Sequence, residues 1–546
     1  MSGARERRFC ASPAGTVDGP GGPAIRWHSS SFDGSLQPYA LYVPASYDAA
    51  RSWPLVLSLH GYSSDHILNL RRVFGRGDSP DEPECHAKTC FPKLPDVGFL
   101  VASPYGFGSL WYEGPAEMEV LDVLADVCAS CNVDPDRIYL TGLSMGGGGT
   151  WHLGVRYPDL FAAIAPVCAP ADYRLFVSHE HPLPAFEDEL LSARSPLTLA
   201  GNLMHVPAKI FHGAEDDVVR PVHSRMMAAR LRELGCHVEH IEFPDVDHDA
   251  WTPAYADASV FNWFRLFRRT RRPRAVEYAT PSLRWPGAYW VRIDQIEKRP
   301  QPAVIRASVD ERNTIDVGTS NVQAFSLKLE LAPVDAEREI LVVWNGHEAF
   351  RGIPEASELA FGDAGAGLRK RAGLEGPADD AFRDPYLLVY GTQGGDPEAI
   401  QAGREAADKL AHPDEWADIE VPVKADVDVA DDDIRRFNLI LLGNPRTNRL
   451  IERVNGGLPV RFDGERVRSG RRLLTGHDMG LIAICPNPLN PERYVVVLGG
   501  GSPATIRMAA EQHRHAPDYL VFDSSADFGD ETTLRDWGYF DNGWRI

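Results

Sequence analysis

The chain has 546 residues, 44% hydrophobic and 24% charged, and its 56 Lys and Arg against 77 Asp and Glu give a net charge of −21. That length exceeds one ordinary core and the composition is that of a folded chain, which excludes wholesale disorder and predicts several domains. The acidic balance argues against a nucleic-acid or membrane partner, and no stretch reaches the roughly 18–20 apolar residues of a membrane helix.

Residues 1–35 are rich in Gly, Pro and Ser and read as a flexible N-terminal segment. Pro38–Val43 alternates like a strand, and Leu55–Leu59 is an apolar strand running into His60-Gly61-Tyr62. Residues 63–97 read as a long connection, a length that in compact domains goes with function or mobility. Phe99–Ala102 is the next strand, and a helix follows from about Pro115 to Cys128 with proline in its first turn. The strand Ile138–Leu140 enters Gly142-Leu143-Ser144-Met145-Gly146, after which a helix runs from about Gly148 to Arg156. Phe161–Val167 is buried strand, 170–205 is a second irregular insertion, and Lys209–Gly213 ends a further strand. A helix over Pro221–Leu234 closes on Gly235; strand Val238–Phe243 then leads to Asp247-His248, and the last helix spans Trp251–Phe267. Strands alternating with helices predict an α/β domain over 36–275, its mainly parallel sheet covered on both faces.

The basic run from Arg268 to Arg274 reads as an exposed linker. Short alternating strands over 284–370 predict a small β-sandwich-like domain. Over 380–546 the buried strands Leu387–Thr392, Leu439–Asn444 and Tyr494–Gly500, with a helix over Glu398–Leu410, predict a smaller C-terminal α/β domain.

Eight cysteines in a chain of this size are not a disulfide framework. Cys128 and Cys131 continue the Leu121/Leu124 helix face and read as buried core thiols; Cys85 and Cys90, beside His86, leave pairing or metal binding open. Gly146–Gly149 lacks a following G-K-[ST], and neither Gly391–Gly395 nor Leu442–Pro445 has a G-x-G-x-x-G fingerprint. No cofactor and no metal are therefore expected.

The chemistry converges on Ser144. In a G-x-S-x-G turn between strand and helix, small residues let the chain double back and push the serine hydroxyl out at the end of the sheet. A serine attacks only when a histidine takes its proton and a carboxylate orients that histidine. His60-Gly61-Tyr62, Ser144, Asp216 and His248 all fall at carboxyl ends of strands, where ligands bind in such sheets. The catalytic set is thus Ser144, Asp216 and His248, with Asp217 as the alternative acid. The N–H groups of Met145 and Tyr62 are the expected oxyanion donors. Trp111 and Tyr112, just past a strand end, are candidate substrate contacts. Asp65 and His66 lie near the oxyanion loop, while His60, His212 and Trp251 read as packing residues.

Leu59-His60-Gly61-Tyr62, Gly142–Gly147, His212-Gly213-Ala214-Glu215-Asp216 and Asp247–Trp251 together resemble the α/β-hydrolase superfamily. The likeness is to its bacterial prolyl-oligopeptidase-like, feruloyl or acetyl-xylan esterase and polyhydroxybutyrate depolymerase group. Residues 284–546 resemble the C-terminal extensions of some large bacterial members. In such proteins the acid is the fifth residue of H-G-x-x-D, which falls on Asp216.

The expected function is a serine hydrolase cleaving carboxylic esters, small or polymeric, through an acyl-enzyme. Esterase is preferred because a true prolyl oligopeptidase carries a propeller of ~40–50-residue repeats ahead of its catalytic domain. A peptidase of prolyl-oligopeptidase type is the alternative, and a non-catalytic binding protein on a hydrolase scaffold is the third reading. Met1–Arg8 is charged with no apolar stretch behind it, so a cytoplasmic location is expected, with export open if the start is misassigned.

Overall fold

The computed structural model describes residues 21–77, 82–177, 182–394 and 396–546. The first sheet contains β1 (Gly22–Ser29), β2 (Leu36–Val43), β3 (Trp53–Leu59), β4 (Leu100–Pro104), β5 (Val133–Leu143), β6 (Ala163–Val167), β7 (Ala208–Gly213) and β8 (Val238–Phe243). Their order is β1-β2-β4-β3-β5-β6-β7-β8. Strands β3 to β8 run parallel, and β2 is antiparallel to both β1 and β4.

Alternation along each strand feeds two cores. Leu55, Leu57 and Leu59 of β3 pack on one face with Val120, Leu124, Trp151 and Leu231 from three helices. Val56 and Tyr139 face the other way, against Leu70, Val73, Phe261 and Phe264. Burial on both faces is why these strands read as unbroken apolar runs. The order reverses between β3 and β5, so the loops leaving these two neighbours open a crevice at the sheet's carboxyl edge.

Two further sheets, of five and four strands, share one core in which Ile305, Ile315 and Val342 of the larger meet Ile293, Phe325 and Leu327 of the smaller. The strand Ala275–Thr280 already belongs to this sandwich, ahead of the expected start at 284. Arg268 and Arg271 of the preceding basic run are exposed as read, and with Arg269 they pair with Asp134 and Asp136 at the start of β5. The C-terminal α/β domain has a seven-stranded sheet whose parallel strands Val423–Ala425, Tyr386–Tyr390, Asn438–Gly443 and Asn490–Gly500 precede three antiparallel ones.

Several expectations need correction. Within the segment read as flexible, Gly22–Ser29 is a strand paired along its whole length with Leu36–Val43; residues 1–20 lie outside the described residues. The 63–97 connection holds the helix His66–Val73, whose first N–H groups are satisfied by Asp65 Oδ1 at 2.8 Å from both Ile67 N and Leu68 N. The 170–205 insertion contains the helix Ala185–Arg194 and a 3₁₀ stretch over Pro196–His205. Cys131 is a buried free thiol as read, but Cys128 is disulfide-bonded. Cys85 and Cys90 are exposed free thiols, and His86 bonds Glu82 at 2.5 Å. No helix among the described residues is long and apolar enough to cross a membrane.

Candidate active site

Ser144 caps the turn between β5 and the helix Met145–Arg156 with φ 54° and ψ −117°. That conformation is costly for a residue with a Cβ and persists only where its surroundings impose it. The glycines on either side explain how. A Cβ on Gly142 would collide with the Gly146 carbonyl, and one on Gly146 would collide with the Leu59 carbonyl. Ser144 N–H donates to Val167 O at 3.0 Å, tying the turn to β6.

His248, in the loop after β8, places Nε2 at 2.9 Å from Ser144 Oγ and Nδ1 at 2.8 Å from Asp216 Oδ2. Asp216 lies in the loop after β7 with its carboxylate wholly buried. Its Oδ1 accepts from Val218 N at 3.0 Å and Val219 N at 2.8 Å, and Oδ2 also lies 3.2 Å from His212 Nε2. Burial works to raise the Asp216 pKa, but the bonds from His212, His248 and the Val219 N–H outweigh it and hold the carboxyl well below the usual carboxylate range. Asp217 is exposed, so the contact with His248 is made by Asp216. Serine, imidazole and carboxylate thus form one hydrogen-bonded line built from the ends of β5, β7 and β8.

Two backbone groups border Ser144. Met145 is the first residue of its helix, so its N–H has no partner one turn back and faces outward at the positive end of the helix. Gly61 lies against the serine: a Cβ there would sit 3.6 Å from Ser144 Cβ and 2.8 Å from Leu143 Cδ1. The Gly61-Tyr62 peptide therefore flanks the nucleophile turn from the β3 side.

The other sequence candidates separate. Trp111 lines a cavity of about 740 Å³ between the first and C-terminal domains, where Phe176 meets it edge-on at 5.2 Å between ring centres. Tyr112 is not a substrate surface. It is 1% exposed, its ring fills the hollow left by Gly149, and its hydroxyl accepts from His60 N at 2.8 Å. Asp65 caps a helix and His66 is buried edge-on to Tyr105, with burial pushing its pKa down to about 4. His60 contacts the Gly61 and Tyr105 carbonyls, and Trp251 packs edge-on to His248. His212 packs and hydrogen-bonds at its strand end as read, with Nδ1 at 2.6 Å from Ser224 Oγ and Nε2 at 2.7 Å from Val219 O, and its Nε2 also lies 3.2 Å from Asp216 Oδ2.

Cys168, Asp216 and His248 bring potential metal-ligand atoms within 4.8 Å of one another. The donor set fits a cation poorly, because burial pushes the Cys168 thiol well up and both Asp216 oxygens already accept hydrogen bonds.

Residues 118–267 match the model of the prolyl oligopeptidase family. The first domain has an α/β-hydrolase-type fold. Among curated relatives, an uncharacterized secreted protein of Arthroderma benhamiae is 32% identical over 155 residues, 27% of this chain and 16% of that one. Feruloyl esterase B of Piromyces equi is 28% identical over 106 residues, 18% of this chain and 20% of the relative. A bifunctional acetylxylan esterase/xylanase of Neocallimastix patriciarum is 30% identical over 135 residues, 24% of this chain and 18% of the relative. The chain spans a fifth or less of the length of each of these relatives.

Proposed function

We propose that this protein is a serine hydrolase that cleaves carboxylic esters, small or polymeric, through an acyl-enzyme. Ser144 Oγ attacks the ester carbonyl carbon while His248 Nε2 takes its proton, and the carbonyl electron pair moves onto oxygen. The N–H groups of Met145 and Tyr62 receive that developing charge. Collapse of the adduct breaks the bond to the alcohol oxygen, to which His248 returns the proton. A water deprotonated by His248 then attacks the acyl carbonyl, releasing the acid and regenerating Ser144. Asp216 keeps the imidazole in the required tautomer and stabilises its protonated form. Trp111 is the proposed substrate contact.

One observation carries this reading: Ser144 Oγ, His248 and the buried Asp216 carboxylate stand in line at 2.9 and 2.8 Å. The ester preference is supported by the names of the relatives, feruloyl esterase and acetylxylan esterase, over their matched segments. A fluorophosphonate should label the wild type and not Ser144→Ala; equal labelling of both overturns the assignment.

A second reading, peptide-amide hydrolysis, is favoured by the family whose model matches residues 118–267. Rates on short p-nitrophenyl esters and on proline-containing peptide amides decide between them, and amide turnover without ester turnover selects the peptidase. A cytoplasmic location is proposed on the exposed free thiols Cys85 and Cys90, against which the Cys128 disulfide argues. Recovery of the protein from the medium of its native cells would overturn it.

A further inference from the structure

The turn that presents Tyr62 is held from two domains. Ser64 N–H donates to Gly61 O at 3.2 Å, closing the turn, and Ser63 sits inside it at φ 56°. A side-chain-bearing residue keeps a left-handed conformation only where its surroundings over-determine it. From the first domain, Lys88 Nζ donates to Ser63 O at 3.0 Å, and Ser63 N–H donates to Ser109 Oγ at 3.0 Å.

The remaining support comes from the C-terminal α/β domain. Ser109 N–H donates to Trp416 O at 3.0 Å, Asp418 N–H donates to Phe107 O at 2.9 Å, and Gly108 pairs with Ala417 in an antiparallel bridge. The approach is close enough that Gly108, at φ 75°, could not carry a Cβ without striking the Trp416 carbonyl. At the end of this contact Tyr62 Oη donates to the Asp414 carboxylate, 3.0 Å from each oxygen. Tyr62 is 39% exposed, and this bond ties its ring to the C-terminal domain. Burial and the facing Asp414 carboxylate push its phenol up to about 12, which keeps it a donor across the working pH range.

We propose that Asp414 is a positioning residue of the hydrolase reaction: by holding Tyr62 Oη it fixes the Gly61–Ser64 turn against Ser144, so that the C-terminal domain completes the oxyanion site. This rests on the reading of Ser144 as nucleophile and of the Tyr62 N–H as oxyanion donor. The physical reason is that such donors act only when aimed at the place where charge develops, and a small misplacement forfeits most of their effect on the transition state while leaving ground-state binding alone.

The test compares Tyr62→Phe, Asp414→Ala, their double variant and Asp414→Asn in the full chain, measuring kcat and KM on p-nitrophenyl acetate and the rate of fluorophosphonate labelling. Each single removal should lower kcat about tenfold with KM within about twofold, and the double should fall no further, because both remove the same bond. Asp414→Asn should recover most of the loss, since its amide oxygen still accepts the phenol proton. Labelling rates should fall in parallel. Wild-type kcat in Tyr62→Phe overturns the proposal, as do additive losses or an effect confined to KM. Tyr62→Phe keeps the ring, so it decides the matter even if Asp414→Ala fails to fold. Labelling of Ser144→Ala would sink the underlying reading; Ser144-dependent labelling with wild-type kcat in Tyr62→Phe would sink this inference alone.

Discussion

The first and C-terminal domains both present the carboxyl ends of parallel strands on a mixed sheet, yet they treat that edge in opposite ways. In the first, the edge stays open, and the residues leaving β5, β7 and β8 point polar groups at one another across it. In the C-terminal domain, residues 444–448 lie across the same edge. A Cβ on Gly391 would strike the Thr447 carbonyl, and one on Gly443 would sit 2.6 Å from Thr447 Oγ1. Its polar groups are consumed internally: Asp426 accepts from Thr392 Oγ1 at 2.5 Å and Arg449 N at 2.7 Å, and Asn444 Nδ2 donates to Gly500 O at 2.8 Å. The comparison teaches that the architecture supplies a place for a site, and that chemistry depends on which polar groups are left with work to do.

The largest expected effect follows from the open edge. Ser144→Ala should reduce ester turnover by at least about a thousandfold, since in the proposed reaction Ser144 Oγ is the attacking atom. Its unfolding midpoint should stay close to wild type; a large loss of stability would mean that Ser144 is as much a structural residue as those of the closed edge. Next in size, Asp216→Asn should cost about a thousandfold or more by removing the acceptor that fixes the imidazole tautomer. Asp217→Asn, at an exposed carboxylate, should leave kcat within about twofold. The reverse order would move the acid to Asp217.

Local pattern explains how much of this was legible. The nucleophile turn could be read because its determinants, Gly142, Ser144 and Gly146, are neighbours in the chain, and the sheet because β3 and β5 are continuous apolar runs. Asp65 was open to misreading as a site residue because the helix it caps has a short apolar stripe of Ile67, Leu68, Leu70 and Val73. Tyr112 reads as a surface aromatic until Gly149, far away in sequence, is seen to need a ring to fill the space it leaves. The bond from Tyr62 to Asp414 joins residues 352 apart, and no periodicity or spacing encodes a contact of that kind.

From the closed edge the expected effect is on stability. Asn448 is fully buried, caps a helix by accepting from Leu450 N at 2.9 Å, and donates to the Val389 and Leu442 carbonyls at 3.2 and 3.1 Å. Asn448→Ala should cost about 2 kcal/mol through the lost cap and the lost bonds to these two carbonyls. Protein that still folds should retain kcat. Lost turnover in a fully folded Asn448→Ala variant would break the division between the two edges.

The last expected effect, read chiefly at acid pH, concerns the joint between the helix that starts at Met145 and the β-sandwich. Glu117, buried on the helix Pro115–Ser130, accepts from Trp285 Nε1 at 2.7 Å, pairs with His152 Nε2 at 2.9 Å and bonds Tyr157 Oη. His152 belongs to the helix that starts at Met145, while Trp285, which follows the sandwich strand Ala275–Thr280 in the chain, packs into the first domain's core. Burial alone would raise the Glu117 pKa, but the bonds from His152, Tyr157 and Trp285 bring it down to about 2 from its usual 4.5. Between those two values the unfolded chain binds a proton at Glu117 that the folded chain refuses, so stability rises with pH there. The contribution is complete above about 4.5 and is lost as pH falls towards 2. Glu117→Gln should therefore lower stability at pH 7 and flatten the acid limb of the unfolding profile across that window. An unchanged acid limb would show that the carboxylate's partners offset one another, and that the joint is held by the packing of Trp285 under the Arg156 guanidinium, 4.5 Å from its ring centre.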